Sequence, residues 1–237
     1  MKLKTLALSL VGFCSLLVLF QAVKIALITR SVDYSAKPFE RILPNSSFKV
    51  LFLGDSTAVG IGAASPEVST AGWLSKDFPS ASIQNLSQSG LRLAGLRQKI
   101  KFIPEDEYYG LIVLQIGAND IIWLTPLKNV ERDVRFILES LKNKADQIII
   151  LHSGNVGTAP IFSWPFDWIL SKRSYQVREI YKRAASETNA IYVDLIALEI
   201  DRKLLSDPRT YYAPDGLHLS GEGYHLWYNA IHTSLNP

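Results

Sequence analysis

The 237-residue chain has a single cysteine, Cys14, so it can form no internal disulfide and no cysteine-rich metal centre. Its four histidines come without a paired carboxylate motif and give no metal-ligand spacing. No metal and no cofactor is therefore expected. Charge of one sign is also lacking. The formal net charge is +3, but residues 1–30 hold Lys2, Lys4, Lys24 and Arg30 and no acidic residue. Setting those four aside leaves 21 basic against 22 acidic residues. No basic field is left to hold a nucleic acid, and that class of partner is excluded. Internal repeats and low-complexity tracts are missing too. With 48% hydrophobic and 20% charged residues, the chain has the composition of a folded domain rather than a disordered one.

The N-terminus carries a long uncharged run. Leu6 to Val23 reads LALSLVGFCSLLVLFQAV, close to the ~20 residues that cross a bilayer. Lys2 and Lys4 precede it and favour a cytoplasmic N-terminus. No small-x-small cleavage site follows the run, as a removed signal peptide would require. Bulky Phe13 before Cys14 argues against lipid attachment there. Residues 1–30 are expected to be a single-pass membrane anchor (or uncleaved signal). Residues 31–47, with Pro38, Pro44 and Asn45-Ser46-Ser47, read as a linker. Residues 48–237 form the globular domain, placed outside the cytoplasm, periplasmic or at the cell surface.

Within that domain apolar runs alternate with helical patterns. Strands are expected at Phe48–Leu53, Ser82–Leu86, Leu111–Ile116, Gln147–Leu151 and Ala190–Leu195. Helices are expected at Trp73–Phe78, Leu91–Phe102, Leu127–Leu141, Ser174–Thr188 and Ser220–Ser234. Strands apolar throughout, separated by helices, imply a parallel sheet covered on both faces. The expected fold is a three-layer α/β/α sandwich on a five-stranded parallel sheet, with flavodoxin-like order. Such sheets hold ligands at the carboxyl ends of their strands.

Three segments reach that edge. Gly54-Asp55-Ser56 follows the first strand, Gly90 the second, and Gly117-Ala118-Asn119-Asp120 the third. Near the C-terminus stands Asp215-Gly216-Leu217-His218. A helix cap would account for Ser56 alone, but not for its company. Acyl transfer accounts for all of it. A serine hydroxyl needs an adjacent base, which His218 supplies. A carboxylate, Asp215, must orient the imidazole and balance its charge. The tetrahedral intermediate needs donors aimed at its oxyanion: the Ser56 N–H, the Gly90 N–H and the Asn119 amide. Glycine at 90 and 117 lets backbone approach a substrate.

The ordered set Gly54-Asp55-Ser56, Gly90, Gly117-x-Asn119-Asp120 and Asp215-x-x-His218 resembles the SGNH hydrolases, or GDSL esterases and lipases, across essentially the whole domain. Thr57 departs from the leucine of the name-giving motif. The resemblance implies a serine esterase with Ser56 as nucleophile, Asp215 and His218 as its partners, and Gly90 and Asn119 as oxyanion donors. It leaves the acyl donor and acceptor open, because the family also holds acyltransferases and thioesterases.

Residues 160–170, PIFSWPFDWIL, read as a long connection broken by two prolines. Its aromatics suit an acyl-binding wall, a membrane-interface contact, or plain packing on the domain. Asp55, His152, Phe162, Trp164 and Trp168 are the candidate substrate-contacting residues. The expected activity is hydrolysis of lipid or small acyl esters through an acyl-enzyme on Ser56. The alternatives are deacetylation or O-acetyl transfer on cell-surface glycans, thioester hydrolysis, and a binding module of the same fold that has lost its chemistry. The topology has a direct consequence: in sealed inverted membrane vesicles, residues 31–237 resist added protease until detergent is supplied. Digestion without detergent places the domain on the other side.

Overall fold

The computed structural model describes residues 12, 13, 15–21, 23, 24, 33 and 35–235. Five strands, β1 (Lys49–Gly54), β2 (Ser82–Asn85), β3 (Tyr109–Gln115), β4 (Ala145–Leu151) and β5 (Ile191–Tyr192), form one sheet in the order β2-β1-β3-β4-β5. Every neighbouring pair is parallel. Nine helices are described within the domain: α1 (Ser56–Val59), α2 (Thr70–Leu74), α3 (Leu93–Lys99), α4 (Ala118–Ile122), α5 (Leu127–Leu141), α6 (Phe166–Thr188), α7 (Ile200–Ser206), α8 (Pro208–Tyr211) and α9 (Gly221–Leu235).

The apolar runs explain the layers. Successive side chains of a strand point to opposite faces. Leu51 and Leu53, Ile112 and Leu114, and Ile148 and Ile150 enter one core, which α3, α5 and α6 complete with Leu93, Leu96, Val134, Leu138, Val177 and Tyr181. Val50 and Phe52, Leu111 and Val113, and Ile149 and Leu151 enter the other, closed by α2, α7 and α9 with Leu74, Leu204, Tyr224, Trp227 and Ile231. Both faces of the sheet are buried, and a polar residue at either parity would cost stability. Each buried side chain of this size contributes roughly 1.5–3 kcal/mol.

Three sequence expectations are corrected. The helix expected from Ser174 begins at Phe166, because Pro165 stands just ahead of its first turn, where no intrahelical N–H is required. Half of the aromatic connection is therefore helical. The short helix expected at Trp73–Phe78 runs from Thr70 to Leu74, capped by Ser69, whose Oγ accepts from the Gly72 N–H at 3.2 Å. The last strand pairs only at Ile191–Tyr192, a short edge of the kind that resists further strand addition.

The opposite edge is covered by part of the expected linker. Arg41 exchanges backbone hydrogen bonds with Ile83 of β2 (2.9 and 2.7 Å), and its guanidinium reaches the carbonyls of Ala81, Ser75 and Phe78. Among the described residues no helix is long and apolar enough to cross a membrane. Much of the expected anchor, including residues 6–11, lies outside the described residues.

At the carboxyl end of the sheet, Gly54 pairs with Gln115 of β3. A Cβ at Gly54 would lie 2.0 Å from the Gln115 carbonyl oxygen, a backbone atom with no room to give. Gly54→Ala is therefore expected to cost about 3 kcal/mol, the upper end for an overpacked core. A fall in the urea midpoint at unchanged slope is the measurement that checks it.

Candidate active site

The turn out of β1 begins with a buried carboxylate. Asp55 is fully buried and caps α1. Its Oδ1 accepts from the Thr57 N–H (2.9 Å) and the Thr57 hydroxyl (2.8 Å), and its Oδ2 accepts from the Gly117 N–H (3.2 Å). The last bond ties the end of β1 to the loop after β3. Burial pushes the Asp55 pKa up against these hydrogen bonds. Ser56 opens α1, and its N–H donates to no partner among the described residues.

His218 comes from the other end of the chain. Its Nε2 lies 2.9 Å from Ser56 Oγ, and its Nδ1 lies 2.6 Å from Asp215 Oδ2. The Asp215 Oδ1 accepts the N–H groups of Leu217 and His218, both at 2.9 Å. Asp215 thus builds its own turn and fixes the imidazole with the same carboxylate. Burial raises the Asp215 pKa, but the His218 hydrogen bond, the His218 charge and the two backbone donors outweigh it, so the carboxyl sits below its usual value. Asp215 is wholly buried, and Ser56 and His218 nearly so.

The three expected oxyanion donors are in different states, and of Asn119 and Gly90 only Asn119 lines the cavity beside Ser56. One N–H of the Asn119 amide is spent on the Leu91 carbonyl (3.1 Å), which locks its orientation and leaves its second N–H. Gly90 is exposed, with a positive φ of 77°, and its N–H donates to nothing among the described residues. Asp120 accepts from the Leu93 N–H at 2.8 Å and so anchors the first turn of α3 to this loop. Asp120 is a positioning residue, not a substrate contact.

A cavity of about 50 Å³ opens beside Ser56 and His218. Asn119 stands at its rim, and Val156, Leu204, Tyr212, Leu219 and Trp227 wall it. Each water-sized group needs roughly 10–15 Å³ of such space, so the cavity accepts roughly three to five water-sized groups. Sequence patterns named none of these wall residues. They come from separate elements that meet only in the folded chain, and each carried a core signal and nothing more.

The substrate-contacting candidates are redistributed. Asp55 and His152 are fully buried and line no part of the cavity. His152 Nδ1 lies 3.0 Å from the Tyr192 hydroxyl, and burial lowers its pKa to about 4, so the ring is neutral. It packs with Tyr181 and Tyr192 behind Gly117. Phe162 is half-buried between the two cores. Trp164 and Trp168 are 65% and 63% exposed and lie outside the cavity. Among the described residues no cluster of His, Cys, Asp or Glu side chains could hold a metal ion.

The model of the GDSL-like lipase/acylhydrolase family matches residues 52–226. The chain belongs to this family and is a carboxylic ester hydrolase. No curated protein matches the sequence. Among solved structures, the chain is similar to TesA, at 16% identity over 80% of this chain and 98% of that one, with a TM-score of 0.64. It is similar to a G-D-S-L family lipolytic protein from Veillonella parvula DSM 2008, at 16% identity over 79% and 97%, with a TM-score of 0.62. It is also similar to Axe2, an acetylxylan esterase from Geobacillus stearothermophilus, at 20% identity over 80% and 94%, with a TM-score of 0.59. At these identities the likeness is one of fold.

Asp201, on the cavity wall, accepts the Asn155 N–H at 2.9 Å. Burial raises its pKa to about 6, and the Asp194 charge adds to the rise. An unfolded aspartate titrates near 3.9, so the folded chain holds a proton that the unfolded chain has lost between those values. Asp201 therefore withdraws stability as the pH rises from about 4 to about 6. Asp201→Asn removes that dependence. The melting temperature of the variant minus that of the wild type is expected to be more positive at pH 7.5 than at pH 4.5.

Proposed function

We propose that the protein hydrolyses short-chain carboxylic esters through an acyl-enzyme on Ser56. The observation that carries this reading is the relay Ser56–His218–Asp215, at 2.9 and 2.6 Å, set at the mouth of an apolar cavity of about 50 Å³. His218 takes the Ser56 proton as Oγ attacks the ester carbonyl. Asp215 holds the Nδ1–H tautomer and stabilises the imidazolium. The oxyanion is met by the N–H groups of Ser56 and Gly90 and by the remaining N–H of Asn119. His218 then returns its proton to the departing alcohol. Water, deprotonated by His218, resolves the acyl-enzyme.

The size of the cavity favours an acetyl-scale acyl group over a long chain. Removal of acetyl groups from carbohydrate is the reading most consistent with that size, and one solved relative is described as an acetylxylan esterase. Transfer of the acetyl group to a sugar hydroxyl uses the same acyl-enzyme with the alcohol in place of water. We further propose that Leu6 to Val23 anchors the chain as a single pass, with the catalytic domain outside the cytoplasm. The support is the uncharged run and the lysines ahead of it.

The test is hydrolysis of aryl esters from acetate to decanoate by the full chain and by Ser56→Ala. Ser56→Ala is expected to lower kcat at least about a thousand-fold. In the wild type, kcat/KM is expected to fall more than about tenfold from butyrate to octanoate, because added methylenes find no space. A profile that rises with chain length overturns the short-acyl reading. Activity that survives in Ser56→Ala overturns the serine mechanism.

A further inference from the structure

The chain has five tryptophans, and their exposure divides them by location. Trp227 is buried and Trp73 half-buried, both at α9. Trp123, Trp164 and Trp168 are 71%, 65% and 63% exposed. All three follow the carboxyl ends of strands: Trp123 after α4 beyond β3, and Trp164 and Trp168 at the start of α6 beyond β4. Exposed Leu124 adjoins Trp123. All three exposed tryptophans thus lie in segments that leave the carboxyl ends of strands, the end of the sheet that holds Ser56, whereas exposed Phe102 and Tyr108 precede the amino end of β3.

The same edge receives the N-terminal helix. Residues 12–24 are helical where described, and Phe13, Leu16, Leu19, Phe20 and Val23 are exposed along it. Gln21 is the polar exception and is buried. Its Nε2 donates to the Ile161 carbonyl (2.9 Å), and its Oε1 accepts the Ser163 N–H (3.3 Å). Lys24 Nζ donates to the Pro160 carbonyl (3.2 Å) and the Ser163 hydroxyl (3.1 Å). Both side chains thus clasp the segment that leads into Trp164. That segment is in turn fixed to the catalytic turn, because the Ile161 N–H donates to the Gly216 carbonyl at 3.0 Å, next to Asp215. The described end of the N-terminal helix, the segment that leads into Trp164 and the catalytic turn are thus joined in one chain of hydrogen bonds.

We infer that this unit seats the catalytic edge on the surface of the bilayer that holds the N-terminal helix, with Trp164 and Trp168 in the headgroup region. The inference rests on the anchoring proposed above and adds an orientation to it. Tryptophan is favoured at that depth. Cations adjoin these residues: Lys24 at the clasp, and Lys172 with its Nζ 5.8 Å from the centre of the Trp168 ring, which suits anionic headgroups. The occupant of the exposed face is the lipid surface itself. The esters that reach Ser56 are then short acyl groups on molecules held at the membrane. Gln21 acts as a positioning residue that sets the angle between helix and domain.

The test uses the full chain in vesicles of phosphatidylcholine and phosphatidylglycerol, with bromine at a shallow acyl position. Tryptophan fluorescence of the wild type is expected to be quenched, and Trp164→Phe/Trp168→Phe to lose at least half of that quenching. Gln21→Ala is expected to slow hydrolysis of a vesicle-borne short-acyl ester at least fivefold more than hydrolysis of a water-soluble one. A purely structural role would slow both equally. Retention of the chain in carbonate-washed vesicles with equal quenching in the double variant overturns the docking alone. Release of the wild type by carbonate overturns the anchor and the docking together. The quenching is read without turnover, so failure of the esterase reading is seen separately.

Discussion

The close approach of the ends of β1 and β3 is the constraint on which the site depends. Gly54 leaves no space for a side chain against the Gln115 carbonyl, and the Asp55 N–H donates to that same carbonyl at 3.1 Å. The Asp55 carboxylate then reaches across to Gly117. The loop that carries Ser56 and the loop that carries Asn119 are thereby joined through one buried acid. Burial opposes the ionised form of Asp55, and its three hydrogen bonds support it. A carboxylate in that position is costly to bury, and its return is geometric: Ser56 and Asn119 cannot drift apart without breaking a buried polar bond.

Behind this pair lies a second polar layer that touches no substrate. The Tyr181 hydroxyl donates to the Ile116 carbonyl at 3.0 Å, and its ring packs on His152, which meets Tyr192. A Cβ on Gly117 would come within 2.9 Å of the Tyr181 hydroxyl. This aromatic floor lies under residues 117–119 and restrains the loop that carries Asn119; in the proposed mechanism, donors must be held before charge develops. His152 belongs to this floor. Its neutrality follows from the same burial that removes it from the solvent.

The parts legible in the sequence are those written in short-range chemistry. Val50–Leu53, Leu111–Leu114 and Ile148–Leu151 are apolar at both parities, and only a sheet buried on both faces uses such runs. Leu127–Leu141 shows its 3.6 period because one face meets the core and the other meets water. Asp215 and His218 could be paired on paper because three residues separate them. The rest depends on which chain segments meet. His152 looked available because strand ends usually face the ligand edge, but Tyr181 and Tyr192, both distant in sequence, cover it. Pro165 looked like a break, yet it stands where a helix begins. Leu204, Tyr212 and Trp227 bear no local sign that they enclose a cavity, since only the docking of α7, α8 and α9 brings them together.

The site is unequal on its two sides, and this inequality bears on specificity. On one side of Ser56 lies a partly open cavity of about 50 Å³, walled largely by residues of the packed interior. Interiors of this density do not yield easily. Beyond the carboxyl ends of the strands, Gly90, Trp123, Trp164 and Trp168 stand exposed. On the function proposed above, selection of the acyl group is a matter of volume, set by core residues that also stabilise the fold. Selection of the alcohol is a matter of what that edge faces. Loop residues on the edge can change without disturbing either core, whereas a change in Leu204 or Trp227 alters the cavity and the stability at once. On the proposed function, the acyl preference is the more constrained property of this chain, and the alcohol preference the freer one.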